Sequence, residues 1–175
     1  MTDYNQIFID DGLGKAALVR YKKRRDSLSK ATKKITVIMG ETRSPDEGRP
    51  WLHLSSFILQ EPLFLFLTGI NQLKTALILN PFSTKEPEIL FVEGKNPKKE
   101  FWEGKRFGIG DPDSDEEVRR VTGIAHVKPY EELLDTLKDL LITHKKTEVG
   151  MLWNVDSTNK SAEDFYYLSK TDIKN

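Results

Sequence analysis

Blocks of apolar and polar residues alternate along the chain, and the period of each block predicts its element. Leu18, Tyr21 and Leu28 recur at helical spacing between residues 13 and 31, with no Pro or Gly after Gly14, which predicts a helix. Ile35-Thr36-Val37-Ile38-Met39 is short, β-branched and closed by Gly40, the pattern of a strand. Residues 41–50 read as a turn-rich loop, punctuated by Ser44-Pro45-Asp46 and Gly48-Arg49-Pro50. Trp51 to Leu59 fits neither period. Leu63 to Leu67 is wholly apolar between Pro62 and Gly69 and reads as a strand buried on both faces. Thr75–Leu79 and Glu88–Val92 read as two more strands, with Asn80-Pro81 and Glu86-Pro87 bracketing a hairpin connection.

Further on, a short helical segment runs through Trp102. Ser114 to Thr122 reads as a helix with a capping box: Ser114 accepts from the first turn, Glu117 reaches back, and Gly123 is the stop. Ala125-His126-Val127 reads as a short strand. Pro129 to Thr143 is the clearest helix, with Pro129 in its first turn and Leu133, Leu134, Leu137, Leu140 and Leu141 on one stripe. Glu148 to Trp153 reads as a last strand. A polar stretch follows, and Ser161 with Asp164 opens one more helix holding Phe165, Tyr166, Tyr167 and Leu168. There is no internal repeat. The sum is an α/β fold, a mixed β-sheet of about five or six strands flanked by helices.

Composition changes this picture little. The 175 residues suffice for one buried core. Lys plus Arg and Asp plus Glu both number 27, so no net field argues for nucleic acid or an anionic membrane as partner. Cysteine is absent, which removes disulfides and thiolate chemistry. The polar, acidic start Met1-Thr2-Asp3-Tyr4-Asn5 is unlike a secretory signal. No apolar stretch approaches the roughly 20 residues of a membrane span. The expectation is a soluble, cytoplasmic protein.

Candidate chemistry is thin. His53, His126 and His144 are scattered and form no metal-ligand spacing. Asp111, Asp113, Asp115, Glu116 and Glu117 lack the glycine and the terminal Glu of a calcium loop, and read as a solvated helix start where acids favour the dipole. There is no G-x-S-x-G, and nothing orients a base for Ser55-Ser56 beside His53. Asp11-Gly12-Leu13-Gly14-Lys15 is followed by Ala16, where a phosphate loop needs a hydroxyl, so it reads as a lead-in to the first helix. Between Lys15 and Lys34 stand nine cations against one acid, Asp26, with Tyr21 the only aromatic. That segment reads as a solvated helix or a subunit-contact face.

The densest motif is Glu100-Phe101-Trp102-Glu103-Gly104-Lys105-Arg106-Phe107-Gly108, of the form E-x-W-x-G-x-R-x-G. A purely structural reading has Trp102 filling a core gap, Glu100 paired with Arg106, and Gly104 and Gly108 permitting turns. Taken with Leu67-Thr68-Gly69, the Thr75–Leu79 strand, the Arg24-Arg25 pair with Leu28, and Gly40 followed by Thr42-Arg43-Ser44 and Asp46, the motif resembles the N-terminal domain of Xaa-Pro aminopeptidases and prolidases. These are the creatinase-like, pita-bread metallopeptidases. The resemblance runs from about Tyr21 to about Leu141. It departs at Glu61-Pro62-Leu63-Phe64, where the family carries an Asp-Ser-Asn/Asp-Phe stretch. It departs again at Gln72-Leu73, which replaces Glu-Pro after Asn71, and in a longer loop from Arg43 to Leu59.

The resemblance implies a division of labour. Residues 1–150 would form the creatinase/prolidase-type N-terminal domain. Residues 151–175 would be a linker, or the start of a catalytic domain that is missing. That domain would hold two divalent metal ions, commonly manganese, on two Asp, one His and two Glu, leaving this chain without catalytic or metal residues. The whole enzyme would release the first residue of peptides whose second residue is proline. This domain would make homo-oligomer contacts and shape substrate access, with Trp102 walling a neighbouring subunit's pocket beside Glu100 and Arg106. The alternatives are an interaction module of a peptidase-like pseudoenzyme of the histone-chaperone type, and the N-domain of a prolidase or creatinase.

Overall fold

Strands whose every residue is apolar or buried need cover on both faces, and this architecture supplies it. The computed structural model describes residues 15–41, 60–103, 105–144 and 149–152. Helix α1 (Lys15–Thr32) leads into strand β1 (Ile35–Met39), and helix α2 (Pro62–Thr68) precedes β2 (Ala76–Leu79) and β3 (Glu88–Val92). Then come α3 (Pro97–Glu103), α4 (Pro112–Thr122), β4 (His126–Pro129), a 3-10 turn at Tyr130–Glu132, α5 (Leu133–Thr143) and β5 (Val149–Leu152). The sheet order is β4-β3-β2-β1-β5. The hairpin β2–β3 and the pair β1–β2 are antiparallel, while the two outer pairs, β3–β4 and β1–β5, are parallel. The expected mixed sheet flanked by helices is the observed fold.

Alternation along the strands sorts the core into two layers. Ile38, Leu77, Leu79, Leu90 and Val92 face α1, α2 and α4, where they meet Tyr21, Phe64, Leu67, Val118 and Val121. Ile35, Val37, Ile78, Ile89 and Phe91 face Leu133 and Leu137 of α5 on the other side. No helix among the described residues is long and apolar enough to cross a membrane.

Three expectations are corrected. The apolar run Leu63–Leu67 is a helix, α2, not a strand. Pro62 stands in the first turn, the Glu61 side chain accepts from Phe64 N–H at 2.8 Å, and Gly69 closes the end in the left-handed region at φ +72°. Proline inside the start and glycine past the end is helix punctuation, and it overrides an apolar run that has no period of its own. Second, Ser114 is not the cap of α4. Asp111 is: its Oδ1 accepts from Ser114 N–H at 3.0 Å and its Oδ2 from Ser114 Oγ–H at 2.8 Å, while Asp115 accepts from Gly110 N–H. Third, Pro129 ends β4 instead of opening a helix, and α5 begins at Leu133 after the 3-10 turn. Residues 42–50 of the expected loop, the ambiguous 51–59 stretch, Glu148 and Trp153 at the ends of the last expected strand, and the helix expected from Ser161 lie outside the described residues.

The Asp111 cap carries a pH prediction. The hydrogen bonds from Ser114, first backbone and then side chain, hold the Asp111 carboxyl below its usual value, with Lys95 adding to the effect. A folded value below the unfolded one of roughly 3.9 means the stabilisation is complete above that pH and is lost as pH falls through the folded value. An acid titration followed at the Ser114 amide should show α4 fraying in that window. The Asp111→Asn variant, which caps without titrating, should stay flat there. Identical acid profiles for the two proteins would sink this account.

Candidate functional site

The E-x-W-x-G-x-R-x-G segment builds a cleft against the end of β3. Its helical half is α3, and its second half, Arg106 to Ile109, runs extended beside residues 93–95. Lys95 N–H donates to Ile109 O at 2.7 Å and Ile109 N–H donates to Glu93 O at 3.2 Å, a parallel bridge outside the main sheet. Gly108 is required by this approach: a Cβ there would lie 2.8 Å from the Lys95 Cα. From below, Gln72 clamps the segment. Its Nε2 donates to Phe107 O at 2.9 Å and its Oε1 accepts from Phe107 N–H at 2.8 Å, with the side chain wholly buried.

The resulting cleft holds about 190 Å³ and is lined by Glu93, Asn96, Glu100, Arg106, the backbone near Gly108, and Glu131. Glu100 organises it. Its Oε1 accepts from Lys95 Nζ at 2.9 Å and from Arg106 N–H at 3.1 Å. Glu100 therefore meets Arg106 through the backbone amide and takes a cation from Lys95, whereas the sequence suggested a side-chain pair. Lys74 holds Glu93 at 3.0 Å on the opposite wall. Beside Glu131, burial and then the Glu131 charge push the Tyr130 hydroxyl up to about 12, so Tyr130 is a neutral packing residue at any physiological pH. Chemically the cleft is a polar notch with a positioned carboxylate and an arginine in its wall. It offers recognition of charged or hydrogen-bonding groups, and its described lining residues include no nucleophile.

Of the residues singled out from sequence, Glu100 and Arg106 both line this cleft. Trp102 falls on α3 between them, but its side chain and Gly104 lie outside the described residues. Its neighbour Phe101 is 79% exposed, so this helix presents an aromatic to solvent. Lys95 and Gln72 were missed. Gln72 stood out only as a departure from the family pattern, and nothing local marks a side chain that pairs with a backbone 35 residues away. His53 lies outside the described residues, and the other two histidines have separate neighbours. His126 Nδ1 lies 3.7 Å from Glu86 Oε1, and His144 stacks obliquely against Phe82. Among the described residues, no three His, Asp or Glu side chains are placed to hold a metal ion.

The Arg24-Arg25 pair and the Leu67-Thr68-Gly69 segment form one joint, between α1 and α2. The last carbonyls of a helix need partners. Here Phe64 O receives Thr68 Oγ–H, Leu65 O receives Gly69 N–H, Phe66 O receives Arg24 Nη1 at 2.9 Å, and Leu67 O receives Arg25 Nη1 at 3.2 Å. Arg25 goes further: its Nε reaches Glu88 Oε2 at 2.7 Å and its Nη2 reaches Glu88 Oε1 at 3.3 Å, with Arg25 1% exposed. The basic stripe read from sequence thus contains one arginine that is a core residue.

The mixed five-stranded sheet flanked by helices defines an α/β domain. Residues 21–149 match the family described as aminopeptidase P, N-terminal domain, and the chain belongs to that family. Mouse Xaa-Pro aminopeptidase 3 is 31% identical over 98 residues, which cover 54% of this chain and 17% of the mouse protein. Aminopeptidase PepP of Pseudomonas aeruginosa superposes with a TM-score of 0.65 at 18% identity, over 86% of this chain and 31% of that one. Proline aminopeptidase P II from Yersinia pestis gives 0.61 at 21% identity, over 87% and 32%. The chain thus spans about a sixth of the curated relative and about a third of each solved structure.

Proposed function

We propose that this chain is the non-catalytic N-terminal domain of an Xaa-Pro aminopeptidase-like metallopeptidase, one that removes the first residue from peptides with proline second. The observation that carries the reading is the family match over residues 21–149, on a domain whose motif segment is braced from two sides by Gln72 and Glu100. In this reading residues 1–150 are the domain and 151–175 lead into a catalytic domain. That domain would hold the two divalent cations, manganese among them, and supply the activated water. Among the described residues no group is placed to hold such an ion, and in this reading the part of this domain is mechanical. It makes subunit contacts and presents α3, with Trp102 and Phe101, as a wall over a neighbouring subunit's substrate pocket. A rigid indole offers a flat apolar surface to a proline ring. Glu100 and Arg106 set the pitch of that wall through the bonds described above. The working place of the enzyme is the cytoplasm.

The test uses this domain fused to its catalytic partner. Release of the first residue from an Xaa-Pro-Xaa peptide with manganese, abolished by chelator, is expected from the long protein and not from the 175-residue chain. In the long protein, Trp102→Ala should lower kcat/KM roughly tenfold, carried mainly by KM, because the wall positions substrate without entering the chemistry. Unchanged kinetics would remove the substrate-access role. Absence of any cleavage would move the protein to the pseudoenzyme reading.

A further inference from the structure

The α1–α2 joint has an outer side that the peptidase reading does not use. Arg20, Lys23, Arg24, Ser27 and Leu28 fall at i, i+3, i+4, i+7 and i+8 on α1, one continuous stripe. Leu63 and Phe66 face that stripe from α2, and together they line an open groove of about 540 Å³. The groove has an apolar floor and a cationic edge, and among the described residues no carboxylate lines it. Lys22 pairs with Asp26 and Arg25 with Glu88, Arg24 donates through Nη1 to Phe66 O, and Lys23 stands exposed on the groove's edge. Phe66 is 53% exposed, although it sits on a helix that buries Phe64 and Leu67 completely.

We propose that this groove is a docking site for a short acidic, amphipathic peptide segment of a partner protein. Complementarity sets the chemistry: carboxylates to meet Lys23 and the outer edge of the Arg24 guanidinium, and one or two aliphatic or aromatic anchors to cover Leu28, Leu63 and the open face of Phe66. The span sets the length. From Arg20 to Leu28 the axis of α1 rises about 12 Å, two turns of a docked helix. Nucleic acid fits less well. Its phosphates leave an apolar floor uncovered, and one face of the Phe66 ring already carries the Arg24 guanidinium, 4.1 Å from its centroid, which blocks base stacking there. A bilayer is planar and does not enter a groove between two helices. The proposal stands whether or not the parent protein is a peptidase.

The full chain, isotope-labelled for amide spectra, is titrated with a fluorescein-labelled peptide of about three helical turns, with Phe and Leu on one face and Glu on its flanks. The expected result is saturable binding with a Kd on the order of 10 µM, and shifts confined to the 20–28 and 63–67 stretches. Lys23→Glu should weaken it roughly tenfold, and Phe66→Ser by a similar factor, whereas Lys30→Glu, an equal charge change on exposed α1 surface off the groove, should change it less than about twofold. Four outcomes overturn the proposal. One is no binding. Another is equal loss in the Lys23 and Lys30 variants. A third is tighter binding at the same residues by a charge-matched single-stranded oligonucleotide or by vesicles of anionic phospholipid. The last is self-association that Phe66→Ser abolishes, which would give the groove to a second copy of the chain.

Discussion

Arg25→Met is expected to destabilise the domain by about 3–5 kcal/mol, the loss that follows when one member of a buried ion pair is removed. The cost does not come from the pair's attraction alone. Met leaves the Glu88 carboxylate stranded at the first position of β3, 6% exposed, and strips the Leu67 carbonyl of its donor at the end of α2. Each of those groups must then find water or stay unpaired. Restoring neutrality should recover most of the loss. In the double variant Arg25→Met with Glu88→Leu, the buried charge is gone and only the helix-end carbonyl remains unsatisfied. Urea unfolding of the wild type, the single variant and the double variant measures both steps. If the double variant is no more stable than the single one, the ion pair is not the reason Arg25 matters.

Gly69→Ala is the second large effect, about 2–4 kcal/mol, and it has an internal control. Gly69 and Gly123 both end helices in the left-handed region, at φ +72° and +69°. An alanine at either site costs roughly 1 kcal/mol from conformation alone. The surroundings differ. A Cβ at Gly123 would meet Leu18 at 3.7 Å, ordinary contact, whereas one at Gly69 would lie 2.5 Å from the Tyr21 ring. Tyr21 is packed in the core and has little room to retreat, so overpacking of about 1–3 kcal/mol adds to the conformational term. Thermal unfolding of the two alanine variants should therefore give unequal losses. Equal losses would show that Tyr21 yields and that only the backbone conformation is at stake.

These two sites also show what could be read in the sequence. Strands β1, β2, β3 and β5, the hairpin between β2 and β3, and helices α1, α4 and α5 were legible because period and punctuation agree there. The α2 error has a definite cause. A seven-residue helix that is almost wholly apolar, on its exposed side as well as its buried one, has no polar face to display a period, so only Pro62 and Gly69 carried the signal, and both also fit a strand's ends. Ser114 reads as a cap because it starts an S-x-x-E pattern. Asp111 won because Pro112 follows it, and proline belongs in the first turn. In the candidate site, Glu100 and Arg106 were visible as a motif, but their bonds run through a backbone amide and through Lys95. Arg25 looked like one of nine equivalent cations. Nothing in a helix sequence tells which cation meets a buried carboxylate 63 residues away.

The Gln72 clamp has a consequence for how this domain can change over time. It grips Phe107 by its peptide N–H and C=O, so it recognises the course of the chain and is indifferent to which side chain stands at 106. That position is thereby released from holding the segment in place. Successive substitutions there can re-tune what the cleft recognises while the wall stays where it is. The frame and the specificity of this surface are free to evolve separately.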